Sequence, residues 1–342
     1  MARAATSPPV SLTHRTDRTS EFWIGGTPPG RYNRPRKDYV MTETVGFIGL
    51  GAMGRPMALN LRKAGIPLVV HSRSRGPVDA LVAAGAEAAD SPAAVAAACR
   101  RIITVLPDGP DVAQVLEGGR GVFSALQPDT LLVDSSTIQP AIARRLAARA
   151  AELGASMLDA PVSGGEIGAI DGTLAFMVGG DAAALEAVRP LLDIMGTPEK
   201  VVHVGPSGAG QVTKACNQLV IGGTMAVVAE AIALARKSGV DPAKVRQALL
   251  GGFAQSRVLD VHGERMIQGN YKPGFKGRLY VKDMGIAAGA LAEHGIPAPV
   301  TALVSQLVQA QATAGRGEMD YSAVATILFD LAGLDWSGPS GT

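Results

Sequence analysis

Between residues 43 and 205, short apolar runs alternate with segments of helical periodicity. The runs of strand length are 45–48, 68–70, 101–105, 131–134, 156–159, 174–178 and 201–204. The helical segments between them are 51–64, 77–84, 92–98, 111–116, 140–152 and 181–195. Strands that alternate with helices are typical of parallel pairing through right-handed crossovers. The pattern predicts an α/β domain over 43–205 with a doubly wound sheet, whose last strands include an antiparallel or edge pair.

After residue 205 the apolar pattern is helical. Residues 211–238 are apolar around most of a helical circumference, which predicts a long helix buried on several sides. Further helical patterns follow at 242–251, 256–268, 281–294, 297–314 and 321–332. They predict an all-α C-terminal domain over 206–333 and a tail at 334–342. Residues 205–210 are the predicted hinge, and we expect substrate to bind in the cleft between the domains.

Residues 1–42 differ from the rest of the chain. They carry seven basic and three acidic side chains, many Pro, Gly, Ser and Thr residues, and no apolar periodicity. This composition is typical of a disordered extension, and it lacks the apolar segment of a secretory signal. We expect an N-terminal extension that the protein can lose without a change in melting temperature or function.

Composition narrows the function classes. The 342 residues are 47% hydrophobic but only 4% aromatic, so the core must consist of Ala, Val, Leu and Ile. A net charge of +2 gives no indication of nucleic acid or of a membrane surface as partner. The two cysteines, Cys99 and Cys216, form no disulfide framework, which fits a reducing, cytoplasmic location. We found no uninterrupted apolar stretch of about 18 residues and expect no membrane span.

A glycine-rich turn joins the first strand to the first helix. In such a turn the first glycine (Gly49) makes the bend, the second (Gly51) lets the backbone approach a pyrophosphate, and the third (Gly54) allows close packing. The helix N-terminus then faces the anion. The strand–turn–helix context predicts a Rossmann domain that binds a dinucleotide. The predicted binding turn comprises Gly49, Leu50, Gly51, Ala52, Met53 and Gly54.

The end of the second strand predicts which dinucleotide binds. An NAD site usually has a carboxylate there for the ribose 2′-hydroxyl, but this segment offers Ser72, Arg73 and Arg75. Arginine binds a 2′-phosphate in a bidentate manner. We therefore expect NADP(H) to be preferred, with NAD(H) possible. The alternative is that these are solvated loop arginines.

Other candidate residues follow later strands. Leu106, Pro107 and Thr137 stand at carboxyl ends of strands, where cofactor groups gather in a doubly wound sheet, although they also suit turns and caps. Ser163, Gly164 and Gly165 offer unshielded N–H groups and a hydroxyl to a substrate carboxylate. As an isolated triplet they would more often be an ordinary loop.

One lysine of the long helix has the surroundings of a proton donor. Lys214 lies among apolar residues, and desolvation lowers a lysine pKa, which suits a general acid. Asn217 and Gln218 share its face and can orient substrate or the lysine. Lys282 could bridge to the cofactor from the second domain. The alternative for Lys214 is a solvated charge at a helix start, which is the more common case for a lysine taken alone. The alternative for Lys282-Asp283 is an exposed charged pair at a helix start.

With these residues in view, the chain resembles the β-hydroxyacid dehydrogenase family, which includes 3-hydroxyisobutyrate dehydrogenase. The resemblance covers about residues 44–333. It rests on Gly46-Phe-Ile-Gly-Leu-Gly-Ala-Met-Gly54, Asp159-Ala-Pro-Val-Ser-Gly-Gly165 and Lys214-Ala-Cys-Asn-Gln218, the last in the form seen in tartronate semialdehyde reductases. It implies a Rossmann domain, a helical dimerising domain, NAD(P) dependence and a catalytic lysine at Lys214. In the family, residues at the positions of Thr137 and Lys282 touch the cofactor.

The residues and the resemblance together predict an NAD(P)-dependent oxidoreductase on a small β-hydroxy acid, with no metal. Two alternatives stay open: an imine reductase on a similar fold, and an NADP-binding protein without catalysis. Lys214 counts against both. Because the 211–238 helix is apolar on too many sides for one helical layer to cover, we also expect a homodimer or homotetramer.

Overall fold

The computed structural model describes residues 43–337. The predicted extension over 1–42 and the last five residues of the predicted tail lie outside this range. Strands and helices alternate over the first part, and helices alone follow. The strands are β1 (Val45–Ile48), β2 (Leu68–His71), β3 (Glu87–Ala88), β4 (Arg101–Thr104), β5 (Leu131–Asp134), β6 (Ser156–Asp159), β7 (Val162–Ser163), β8 (Leu174–Gly179) and β9 (Gly196–Gly205).

The helices fall into two groups. Those between the strands are α1 (Gly54–Lys63), α2 (Arg75–Ala83), α3 (Pro92–Ala98), α4 (Gly109–Glu117), α5 (Pro140–Glu152), α6 (Gly165–Asp171) and α7 (Ala182–Met195). Those after the sheet are α8 (Ala209–Lys237), α9 (Pro242–Leu250), α10 (Arg257–Gln268), α11 (Gly277–Glu293), α12 (Pro299–Gln311) and α13 (Val324–Leu331).

The sheet has the doubly wound topology that the pattern predicts. β1 pairs in parallel with β2 on one side and with β4 on the other, and β5 and β6 continue in parallel beyond β4. The order of strands therefore reverses between β1 and β4. Ligands of such sheets bind outside the carboxyl ends of the strands at this reversal.

The far end of the sheet contains the expected antiparallel pair. β6 and β7 pair antiparallel with β8 in one continuous register, and β9 pairs with β8 in parallel. The sequence pattern did not predict four short elements: β3, β7, α6 and the 3-10 helix at Val122–Ser124. Two-residue strands and a seven-residue helix rich in glycine are too short for a periodic signal.

Two apolar cores cover the two faces of the sheet. Side chains alternate between the faces along each strand: Val45 and Phe47 of β1 belong to one core, and Ile48 belongs to the other. This alternation is the period of two that a pleated strand requires. Both faces are covered by helices, as in other parallel sheets.

Helix α8 is the centre of the helical layer and packs against α10, α11, α12 and α13. Among the described residues it is the one helix long and apolar enough to cross a membrane, although Thr224 and Glu230 interrupt its apolar run, as the sequence predicts. A single such helix is weak evidence of a span, because the core helix of a globular domain has the same length and composition.

Candidate active site

The glycine turn folds as the fingerprint requires. Gly49 adopts φ +97°, and a Cβ there would lie 2.2 Å from the carbonyl oxygen of Val105. A Cβ on Gly54 would lie 2.0 Å from the carbonyl oxygen of Gly49, so α1 packs against the turn at a distance that only glycine permits. Helix α1 begins at Gly54 rather than at residue 51.

Gly51 is different, because a Cβ there would meet no atom within 4 Å. Gly51 and Ala52 are exposed, and they precede the N-terminus of α1. The missing side chain therefore leaves room for a ligand rather than for the protein. Open space above a glycine, next to the positive end of a helix dipole, fits the pyrophosphate of NAD(P).

The residues after β2 border this turn. Ser72 Oγ accepts a hydrogen bond from the N–H of Leu50 at 3.3 Å, so the serine ties the two segments together. Arg75 pairs with Asp79 one turn along α2, with 2.7 Å between Nε and Oδ1. Arg73 is 88% exposed, and its nearest carboxylate, on Asp111, is 3.8 Å away. Of the two arginines, Arg73 therefore has the weaker ion pair.

A buried carboxylate shapes the loops after β4 and β5. Asp134 Oδ1 accepts hydrogen bonds from Thr104 Oγ1 at 2.7 Å and from Ser136 Oγ at 2.6 Å. Ser136 Oγ in turn accepts from the N–H of Leu106 at 2.9 Å. This network aligns two loops that contain predicted cofactor residues. Burial raises the pKa of Asp134, although these donors oppose the shift.

Lys282 joins the helical layer to both loops. Its ammonium donates to the carbonyl oxygens of Pro107 at 2.9 Å and Thr137 at 2.8 Å. The structure thus brings Lys282 to the predicted cofactor residues. The alternative interpretation of Lys282-Asp283 as an exposed pair at a helix start is wrong, because α11 begins at Gly277 and Asp283 is buried. Periodicity missed the first turn of α11 because that turn contains glycine and arginine.

Lys214 lies in the second turn of α8, with 8% of its surface exposed. Burial lowers its pKa to about 8, with Asp283 opposing the shift and Lys282 adding to it. A lysine that exchanges its proton near neutral pH is suited to general acid–base work. The predicted partly desolvated lysine is thus present in the structure.

A chain of amides links Lys214's helix to α11. Asn217 Nδ2 donates to Gln218 Oε1 at 2.7 Å, and Gln218 Nε2 donates to Asp283 Oδ2 at 2.6 Å. Lys282 Nζ lies 3.0 Å from Asp283 Oδ1, an ionic contact outside hydrogen-bond geometry. Both ends of the Gln218 amide are engaged with these neighbours, which supports an orienting role, and its predicted contact with substrate stays a prediction.

The predicted carboxylate loop leaves the sheet between β7 and α6. Ser163 is half-buried, and Gly164 and Gly165 are exposed with φ of +138° and +63°. These left-handed conformations turn the chain sharply into α6, and residues with a side chain rarely adopt them. The loop presents backbone donors beside one hydroxyl, as the sequence predicts.

Asp159 is a site residue whose role we did not predict. It ends β6, and its carboxylate accepts from the N–H groups of Gly208 at 2.7 Å and Gln211 at 2.9 Å, at the start of α8. Burial raises its pKa to about 6, and these two donors oppose the shift. Asp159 thereby anchors the helix of Lys214 to the sheet. The sequence signals were its position at the end of an apolar strand and its place at the start of the 159–165 segment that carries the resemblance.

Among residues 43–337, no group of three or more His, Cys, Asp or Glu side chains could hold a metal ion. The positive charges near the candidate site include side chains on α8 and α11. Lys214 and Lys282 are its cations, one buried on α8 and one shared between two loops.

Two family models match the chain in succession. Residues 44–205 match the NAD binding domain of 6-phosphogluconate dehydrogenase, and residues 208–328 match the NAD-binding domain of NADP-dependent 3-hydroxyisobutyrate dehydrogenase. The chain is 44% identical over 285 residues to the 2-hydroxy-3-oxopropionate reductase of Escherichia coli strain K12, across 83% of this chain and 96% of that protein. The chain belongs to the 3-hydroxyisobutyrate dehydrogenase family.

Solved structures of the 3-hydroxyisobutyrate dehydrogenase family share the fold. The 3-hydroxyisobutyrate dehydrogenase of Mycobacterium tuberculosis, solved with L-serine, superposes with a TM-score of 0.77 at 36% identity, over 84% of this chain and 99% of that one. An imine reductase from Pseudomonas sp. has a TM-score of 0.53 at 21% identity, over 84% and 99%. The latter likeness shows the fold alone.

Membership of the 3-hydroxyisobutyrate dehydrogenase family confirms three predictions. The chain has a Rossmann domain followed by helices, it is NAD(P)-dependent, and it is an oxidoreductase acting on CH–OH groups. The relatives support this interpretation over the imine-reductase alternative.

Proposed function

We propose that this enzyme interconverts a short β-hydroxy acid and its semialdehyde or keto acid, with 2-hydroxy-3-oxopropionate or a 3-hydroxyisobutyrate-like acid as substrate. The observation that carries the proposal is Lys214. It is a buried lysine with a pKa of about 8, in a chain 44% identical to a 2-hydroxy-3-oxopropionate reductase. A carbonyl that becomes an alcohol needs such a proton donor.

Each residue of the site has its own role in the proposed reaction. Ser163 and the N–H groups of Gly164 and Gly165 bind the substrate carboxylate. The nicotinamide supplies or accepts the hydride when the cofactor is bound. Lys214 donates a proton to the substrate oxygen during reduction and removes it during oxidation. Asn217, held by Gln218, orients that oxygen.

The direct test is a screen of purified enzyme against C3 and C4 hydroxy acids and their semialdehydes, with NADP(H) and NAD(H) in parallel. Absorbance of the reduced nicotinamide reports turnover. We expect the highest kcat/KM with a three- or four-carbon acid that has its hydroxyl or carbonyl on the β-carbon. Turnover of cyclic imines, with none of any hydroxy acid, would contradict the proposal.

The pKa of Lys214 sets opposite pH dependences for the two directions. Reduction needs the protonated ammonium, so its kcat should fall as pH rises through about 8. Oxidation needs the neutral amine, so its kcat should rise through the same region. Profiles of kcat against pH in both directions check this. Parallel profiles, both rising or both falling, would remove Lys214 as the group that exchanges the proton.

We propose NADP(H) as the preferred cofactor, with Arg73 as the main ligand of the 2′-phosphate. Arg73 has only a distant carboxylate partner, whereas Asp79 already neutralises Arg75. We expect Arg73→Ala to cost about 1.5–3 kcal/mol of NADP(H) binding, which raises Kd roughly 10- to 150-fold. Binding of NAD(H) should stay near native.

Fluorescence titration with both nucleotides measures this ratio. Arg257→Ala, at an arginine on α10 that is 84% exposed, is the matched control and should leave both affinities unchanged. An unchanged preference in Arg73→Ala, or a strong NAD(H) preference of the native enzyme, would overturn the assignment of Arg73.

We propose that two copies of the chain associate through α8. Val220, Val227 and Leu234 are spaced seven residues apart and are 69%, 62% and 68% exposed. Residues at this spacing share a helix face, and Val300 of α12 lies beside the same face near Gly223. An apolar stripe of this length is typical of an interface.

Sedimentation at micromolar concentration should show a dimer or tetramer for the native enzyme. Val227→Glu should shift it toward monomer, because the interface would bury a carboxylate. Val82→Glu, on the exposed side of α2, is the control and should not change the distribution. A native monomer would contradict the proposal.

A further inference from the structure

One buried amide connects the helix of Lys214 to the loop that contains Thr137. Gln211 is 1% exposed and lies in the first turn of α8, three residues before Lys214. Its Nε2 donates to the carbonyl oxygen of Ser136 at 2.8 Å, and its Oε1 accepts from the N–H of Ile138 at 3.0 Å. These two backbone groups flank Thr137.

The geometry leaves this connection little freedom. The two hydrogen bonds have opposite polarity, so the amide fits in one orientation only. The N–H of Gln211 itself is held by Asp159, so the backbone and the side-chain end are both fixed. The first turn of α8 therefore cannot rotate or slide against the loop without breaking a buried hydrogen bond.

The same loop is also held from the opposite direction. The carbonyl oxygen of Thr137 accepts from Lys282 of α11. Gln211 and Lys282 together clamp residues 136–138 between two helices. Of these two residues, Gln211 lies on α8, the helix that contains Lys214. Its hydrogen bonds therefore fix the position of Lys214 relative to residues 136–138.

We propose that Gln211 is a positioning residue, which fixes Lys214 against the 136–138 loop so that proton and hydride transfer occur in one geometry. This inference rests on the proposed role of Lys214. A shift of about 1 Å in a reacting group can cost about 100-fold in rate. The loss should therefore appear in kcat rather than in cofactor affinity.

The test compares Gln211→Met with a matched control, Gln311→Met. Gln311 is also fully buried, and its Nε2 donates to two backbone carbonyls, those of Arg316 and Asp320, within the helical layer. Each variant removes two hydrogen bonds made by a buried amide, so the melting temperatures of both should fall to a similar extent. We expect only Gln211→Met to lower kcat, by about 10- to 100-fold, with the Kd of NADP(H) changed less than about threefold.

A second variant, Gln211→Glu, keeps the test decisive if the first does not fold. The introduced carboxylate accepts from Ile138 but cannot donate to Ser136 until it is protonated. Its kcat relative to native enzyme should therefore recover as pH falls, a pH dependence that mere loss of packing would not produce.

The proposal is overturned if Gln211→Met keeps kcat within about twofold of native, if Gln311→Met loses as much, or if Gln211→Glu shows no recovery at low pH. The assays use the substrate that native enzyme turns over fastest. Failure of the proposed role of Lys214 would appear separately, as high activity in Lys214→Met.

Discussion

Lys214→Met is expected to lower kcat by about 10²–10⁴-fold, the range that general acid–base catalysis supplies. Hydride transfer to a carbonyl leaves negative charge on the oxygen, and a nearby proton donor must offset it. Lys214 is buried, and its pKa of about 8 keeps it protonated at neutral pH yet able to release the proton. Methionine keeps most of its length and removes the proton.

Lys214→Arg is expected not to restore the rate, because a guanidinium does not release its proton at these pH values. Lys237→Met, at the exposed end of the same helix, is the matched control and should leave kcat near native. Cofactor binding by fluorescence should stay near native in every variant. If Lys214→Met kept more than about a tenth of native kcat, well above this range, the mechanism would be wrong.

Most of the sheet could be predicted because each of its longer strands is a separate apolar run. β1, β5 and β6 have the predicted bounds. Periodicity located the helices less well at their ends: α7 begins after its cap, Asp181, and α11 begins four residues early. Helix ends depend on capping and on local turns, which periodicity does not detect.

The polar network of the site could not be predicted, because its partners are far apart in the chain. Gln211 and Ser136 are 75 residues apart, and Gln218 and Asp283 are 65 apart. The sequence indicated which residues had useful chemistry, such as Lys214. It did not indicate that Gln218 would be engaged at both ends of its amide, since this depends on how α11 packs against α8.

For the glycine fingerprint, too, the sequence identified the residues but not the role of each. The spacing identified all three glycines, yet they act in different ways. Gly49 and Gly54 are required by the fold, since a Cβ on either would collide with a backbone carbonyl oxygen. Only Gly51 has open space where its side chain would be. A substitution at Gly51 should therefore separate cofactor binding from folding.

Gly51→Ala is expected to fold with a native melting temperature and to bind NADP(H) at least about tenfold more weakly, which is about 1.4 kcal/mol. The added methyl group meets no protein atom, but it occupies the space where the backbone must approach the pyrophosphate. Gly119→Ala, at another glycine with open space, is the matched control and should change neither property.

Gly54→Ala should give the opposite result, a loss of stability of about 1–3 kcal/mol, because its Cβ would overlap the Gly49 carbonyl oxygen and push α1 away from the turn. Thermal melting and fluorescence titration of the three variants test both expectations. Native NADP(H) affinity in Gly51→Ala would mean that the pyrophosphate does not lie over this turn. A melting temperature lowered as far as in Gly54→Ala would mean that Gly51 serves the fold and not the ligand.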